Sequence, residues 1–329
     1  LTLLQTSSKG VSFQLNKVAD GLGVPWGMVF IGPDQILFTE RNGKIGILDT
    51  ASGVITGISG GPKVMHSGQG GLLDVAVPPD FVPGDWIYFS YSKEKNGKGV
   101  TALARAKLDG KRLVALRDLL VTRSASTTGR HFGSRITFDG TGHLFFSVGD
   151  RGVRPNGQDL STHAGSILRI ALNGGVPDDN PFVQQTGILP EIWSYGHRSP
   201  QGLAIHPETG DLYLQDNGID GFSDSNEPHS ADELNIIPAA QIGGKIEDFG
   251  FPFNHVRYRT GRVVGGGIQP WVAFQPLPDP KTGNEAEGPN DICFAPPEFP
   301  EGLNHGLFVG FHGRFNYAGS GNEENPLVY

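Results

Sequence analysis

Pro25-Trp26-Gly27-Met28-Val29-Phe30, a turn at Gly32-Pro33-Asp34, and then Ile36-Leu37-Phe38-Thr39-Glu40 form the unit that decides the fold. An apolar start, a Pro/Gly/Asp turn and a short aromatic strand ending in a polar residue make a β-hairpin. The unit recurs. Leu72-Leu73-Asp74-Val75-Ala76-Val77 is followed by Trp86-Ile87-Tyr88-Phe89-Ser90, and Ile136-Thr137-Phe138 by His143-Leu144-Phe145-Phe146-Ser147. Gln201-Gly202-Leu203-Ala204-Ile205 precedes Asp211-Leu212-Tyr213-Leu214-Gln215, and a more diverged copy pairs Asp291-Ile292-Cys293-Phe294 with Gly306-Leu307-Phe308-Val309. Hairpins repeated around an axis bury their inner strands against one another and leave loops on two faces, which predicts a β-propeller. A β-sandwich of coincidentally similar hairpins is the competing arrangement.

Composition agrees with an all-β domain. The 329 residues include 49 glycines and 24 prolines, and 37% are hydrophobic, enough for a core. We expect one propeller domain over residues 1–329, with a long Gly-, Pro- and acid-rich insertion around 217–289. Few residues follow the fifth copy, so the ring is expected to lack a complete last blade.

The net charge of −8 argues against nucleic acid as a partner, since no basic surplus exists to neutralise phosphates. No stretch approaches the roughly 20 apolar residues of a membrane span. The start at Leu1 is compatible with a removed leader. One cysteine, Cys293, excludes an intramolecular disulfide and is equally at home in the cytosol or on a disulfide-free export route.

Loops at one end of a propeller surround its channel, so site residues should sit just before inner strands or just after their partners. His131, in Gly129-Arg130-His131-Phe132-Gly133, leads into the third copy, and Asp150, in Gly149-Asp150-Arg151-Gly152, leaves it. A hairpin brings its two ends together, so these side chains are expected to meet. A carboxylate orients an imidazole and raises its basicity, as a general base needs, although spacing equally allows a purely structural pair. Gln69, in His66-Ser67-Gly68-Gln69-Gly70-Gly71, precedes the second copy and offers both donor and acceptor groups. Arg198 and Ser199 precede the fourth, and the guanidinium fork suits a carboxylate ligand. Asp216-Asn217-Gly218-Ile219-Asp220 leaves it, with Asp224, Glu227, Asp232 and Glu233 following. Such clustered oxygens suit calcium, outside the EF-hand spacing, or form a solvated acidic loop. No Walker A loop, GxGxxG opening a helix, or Cys/His zinc spacing occurs.

These residues resemble a known family, the soluble aldose and glucose dehydrogenases that use pyrroloquinoline quinone (PQQ), with sorbosone dehydrogenases and hedgehog-interacting proteins as relatives. The resemblance covers about residues 20 to 316. Its most specific pieces are Val24-Pro25-Trp26 with Thr39-Glu40-Arg41, Gly68 to Asp74, Gly149 to Gly152 with Gln158 to His163, and Gly196 to Ala204. It implies a six-bladed propeller of four-stranded antiparallel blades, holding PQQ on one face through Ca²⁺. It further implies His131 as the base for the sugar's anomeric hydroxyl, Asp150 as its support, and Gln69, Arg198, Ser199 and Arg314 as cofactor contacts. Gly218, Ile219 and Asp220 fall on the calcium loop. Ser199 stands where the family has Asn, the family's Gly-Pro at the calcium loop is replaced, and its cofactor lysine has no counterpart near Asp291. The implied reaction oxidises an aldose to its lactone and passes electrons to an external acceptor, in a periplasmic or secreted monomer or homodimer. A non-enzymatic binding propeller of the hedgehog-interacting type is the alternative, and a calcium-dependent lactone hydrolase a third reading.

Overall fold

The structure is a computed structural model describing residues 2–6, 10–223, 229–239, 247–274, 288–311 and 327–328. An N-terminal hairpin, β1 (Thr2–Thr6) with β2 (Ser12–Asn16), forms its own two-stranded sheet. The first blade is β3 (Pro25–Gly32), β4 (Gln35–Glu40), β5 (Ile45–Asp49) and β6 (Ile55–Ile58). The second is β7 (Leu72–Ala76), β8 (Trp86–Lys95), β9 (Lys98–Asp109) and β10 (Arg112–Val121), and the third β11 (Ile136–Phe138), β12 (His143–Val148), β13 (Ser166–Ala171) and β14 (Ile192–Tyr195). The fourth holds β15 (Pro200–Ile205), β16 (Leu212–Asp216) and β17 (Asp232–Ile237).

The stretch read as an insertion supplies several strands. β18 (Glu247–Asp248) adds in parallel to β14 as a fifth strand of the third blade, and β19 (His255–Val256) pairs with β20 (Val263–Val264). β21 (Val272–Phe274) completes the fourth blade beside β17. A last sheet holds β22 (Pro289–Phe294), β23 (Leu307–Phe311) and β24 (Leu327–Val328). The fold is an all-β propeller. Against the expected six blades, the described residues give four full blades and a three-stranded fifth sheet.

Local chemistry explains the elements. Asn96-Gly97 joins β8 to β9 with positive φ at both residues (53° and 75°), the two-residue turn that matches strand twist. Middle strands are apolar on both faces because each blade is sandwiched between two others. On β8, Ile87 and Phe89 pack with Leu37 and Ile45 of the first blade, whereas Tyr88 between them packs with Leu144 and Phe146 of the third. On β13, Leu168 joins the core toward the second blade and Ile167 joins Leu203 and Leu214 of the fourth. Leu234 meets Ile292 and Val309 across the next boundary. Phe89, Phe146 and Leu214 are fully buried, and each such side chain stabilises the fold by about 1.5–3 kcal/mol.

At the axis one arginine ties five sheets together. Arg135, just before β11, bonds Asp74 of β7 at 3.0 Å and Asp291 of β22 at 3.2 Å. Its Nε donates to the Gln201 carbonyl of β15 at 2.8 Å, and its guanidinium lies 4.6 Å from the Trp26 ring centroid of β3. Asp74 also accepts the Ile136 N–H at 2.9 Å. Burial pushes Asp74 up to about 6, against the pull of Arg135. Arg135→Leu leaves Asp74 buried and unpaired, so chemical denaturation should show a loss of about 3–5 kcal/mol. A loss below about 1 kcal/mol would show that this junction does not hold the blades.

Candidate active site

The loops before β7, β11 and β15 and those after β12 and β16 share one end of the propeller. There the expected pair forms: His131 Nδ1 lies 2.5 Å from Asp150 Oδ1. A carboxylate only accepts, so Nδ1 carries the proton and the Nε2 lone pair remains for chemistry. Asp150 is fully buried and its Oδ1 also accepts the Gly152 N–H at 2.7 Å. The His131 side chain keeps 13% of its surface exposed, enough for a substrate hydroxyl to reach it.

Neighbouring blades hold this pair in place. Gln69 Oε1 accepts the His131 backbone N–H at 2.7 Å, and the Asp150 N–H donates to the Arg198 carbonyl at 2.7 Å. Gln69, His131, Asp150 and Arg198 thus form one chain across the second, third and fourth blades. Arg198 donates from Nη2 to Asp220 at 2.8 Å and from Nη1 to the Asn217 carbonyl at 3.4 Å. The Ser199 hydroxyl is buried with no hydrogen-bond partner among the described residues.

The loop after β16 is built by its backbone. Asp216 accepts the N–H groups of Arg198 (2.9 Å) and Ser199 (2.6 Å), so this carboxylate anchors the neighbouring loop. Gly218 donates to Asp232 at 2.7 Å, and a Cβ there would stand 2.3 Å from the Ala231 carbonyl, a close approach that only glycine allows. The Ile219 carbonyl accepts the Ser230 N–H at 2.8 Å. Asp220 divides its carboxylate between Arg198 and His229, the latter 3.2 Å away.

The family model for glucose/sorbosone dehydrogenases matches residues 22–276. The chain belongs to the glucose/sorbosone dehydrogenase family. The aldose sugar dehydrogenase YliI of Escherichia coli is 36% identical over 267 residues, 79% of this chain and 69% of that protein. The apo crystal structure of the soluble E. coli aldose sugar dehydrogenase superposes with a TM-score of 0.76 at 30% identity, covering 94% of this chain and 83% of that one. Quinoprotein glucose dehydrogenase B of Acinetobacter calcoaceticus is 27% identical over 281 residues, 75% of this chain and 56% of that protein. The PQQ-bound aldose sugar dehydrogenase of Streptomyces coelicolor shares the fold, with a TM-score of 0.68 at 23% identity over 100% of this chain and 85% of that one.

Membership of this family raises the question of whether the residues at this end suit a quinone and a calcium ion. The Ser199 hydroxyl, the Arg198 fork and the Gln69 amide suit a flat, anionic, oxygen-rich ligand, and the Ser199 hydroxyl, like the Gln215 amide, is a buried polar group that internal bonding does not explain. The loop from Asn217 to Asp220 offers hard oxygens only, as calcium prefers. No group of three or more His, Cys, Asp or Glu side chains is placed for a metal among the described residues, so backbone carbonyls would carry that role. Arg314, Asp224 and Glu227 lie outside the described residues.

Sequence reasoning missed several supports. Asn156 Nδ2 donates to the Asp150 carbonyl at 2.9 Å from a single turn of 3₁₀ helix (Arg154–Gln158), and Asp216 caps the Arg198 loop. Each contact lies within a single blade, and only the folded loops distinguish these residues from ordinary polar loop positions. Glu233 pairs in register with Asp216. Burial, then the Asp216 charge, raises its carboxyl to about 8, so it holds its proton at neutral pH. The folded state therefore binds a proton that the unfolded chain releases. This stabilising contribution is complete below the ordinary value of 4.5 and is lost as pH rises to about 8. Glu233→Gln should melt like the parent at pH 4 and increasingly above it toward pH 8.5, and parallel melting curves across that range would refute the assignment.

Proposed function

We propose that the protein oxidises an aldose at its anomeric carbon, giving the lactone, with PQQ as hydride acceptor and His131 as general base. The observation that carries this reading is the His131–Asp150 pair, held at 2.5 Å and linked to Gln69 and Arg198 at one end of the channel. Family membership and the quinoprotein names of relatives support it.

When bound, PQQ would supply the two-electron acceptor and Ca²⁺ would polarise it. The chain does the rest. Arg198, Gln69 and Ser199 would hold and orient the cofactor, and the carbonyls of Gly218 and Ile219 would hold the metal, the latter with a lone pair beyond its bond to Ser230. Asp220 fixes the Arg198 fork. His131 Nε2 removes the C1 hydroxyl proton as hydride leaves C1, and Asp150 stabilises the resulting imidazolium through Nδ1–H. Arg314 is carried as a cofactor contact on the resemblance alone. An external acceptor would take the electrons onward, in a periplasmic or secreted setting.

The test is a titration of apo-protein with PQQ, with and without Ca²⁺, followed by addition of glucose. Calcium-dependent binding and sugar-driven bleaching are expected. His131→Ala should lower turnover by about 10²–10⁴-fold with the quinone still bound. Failure of the parent to bind PQQ would favour the hedgehog-interacting type of binding propeller, and loss of quinone binding in the variant would make His131 structural.

A further inference from the structure

Three consecutive residues after β12 each engage the His131 loop. A Cβ at Gly149 would lie 2.4 Å from the His131 carbonyl, so glycine lets the two backbones touch. Asp150 takes the imidazole. Arg151 is fully buried, and among the described residues it hydrogen-bonds no carboxylate, although the charge of the adjacent Asp150 acts on it. It spends its donors on four backbone carbonyls: Nε on Arg130 (3.0 Å), Nη1 on Gly99 and Ser124 (3.0 Å each), and Nη2 on Thr128 (3.2 Å). Its guanidinium carbon sits 3.6 Å from the centroid of the Phe132 ring. The residues on both sides of His131 are therefore gripped by one side chain.

His131 needs such a grip. Its φ is +51°, in the left-handed region that a non-glycine residue keeps only when its surroundings impose it. Arg151 itself has φ +58°, so both backbones are held against local preference. A core arginine in no direct salt bridge is costly to bury, and burial lowers this one to about 10 against the opposing pull of the Asp150 charge, which leaves it cationic at neutral pH. Gly99 is on β9 and Ser124 follows β10, so the same guanidinium fastens the His131 loop to the second blade.

We propose that Arg151 is a positioning residue for His131, fixing the imidazole where its Nε2 can take the substrate proton. This rests on the reading of His131 as base. Lysine keeps the charge but cannot span four carbonyls in one plane or lie flat on Phe132, so Arg151→Lys is the informative variant.

Two readouts separate the inference from the reading beneath it. In apo-protein, proton NMR should show the His131 Nδ1–H far downfield from its short bond to Asp150, and Arg151→Lys should broaden or abolish that signal. In protein loaded with PQQ and Ca²⁺, the variant's kcat should fall about 10–100-fold, as a displacement near 1 Å costs, while KM and quinone half-saturation change little. Phe132→Leu, which removes only the ring beneath the guanidinium, should weaken the same signal and serves if the lysine variant does not fold. An unchanged His131 proton with unchanged kcat in a folded variant overturns the proposal. A parent protein that never oxidises sugar sinks the functional reading instead, and the apo NMR comparison still decides the role of Arg151.

Discussion

Arg135 at the propeller axis is the contact on which the rest of the arrangement depends. Its guanidinium reaches groups on the inner strands of four other sheets: Trp26, Asp74, Gln201 and Asp291. Apolar packing between blades supplies most of the stabilisation, but it is non-directional and tolerates sliding. A planar cation with partners at fixed positions does not, so it sets how the inner strands are phased around the channel. The loops that bear His131, Gln69 and Arg198 lead into those strands, and their meeting follows from that phasing.

Buried carboxyls occur both on this frame and at the loop end. Near the axis, Asp74 is raised to about 6 because burial outweighs Arg135 and the backbone donors it finds. At the loop end, Asp232 and Glu233 are raised to about 6 and about 8 because burial outweighs the donors they find. Buried carboxyls without full compensation cost stability, and Asp232 and Glu233 lie beside the loop proposed for calcium. Local stability given up in this way is the usual direction of compromise at functional sites.

Much of the fold was legible because its chemistry is local. The runs around Phe89 and Phe146 read as the second arms of repeated hairpins, each set by turn residues and apolar strand composition close by in the chain. The His131–Asp150 pair was legible for the same reason, since the two ends of one hairpin must meet. The stretch from 217 to 289 was not. Its strands are two to six residues long and bounded by irregular segments, so β17 and β21 show no periodicity to separate them from a loop. Nor does spacing reveal whether Asp220 faces a metal or Arg198, because both choices satisfy an acidic residue on a polar loop.

By itself the sequence determined the class of elements, the hairpin repeat, the family and the pairing of His131 with Asp150, since each depends on neighbours along the chain or on motifs read in order. Only the tertiary structure decided which carboxylates anchor backbone, which hydroxyl is left unpartnered, and that Arg135 and Arg151 serve as junctions. Those roles depend on partners tens of residues away in the chain, and a side chain's hydrogen bonds are chosen by what the fold brings within about 3 Å of it.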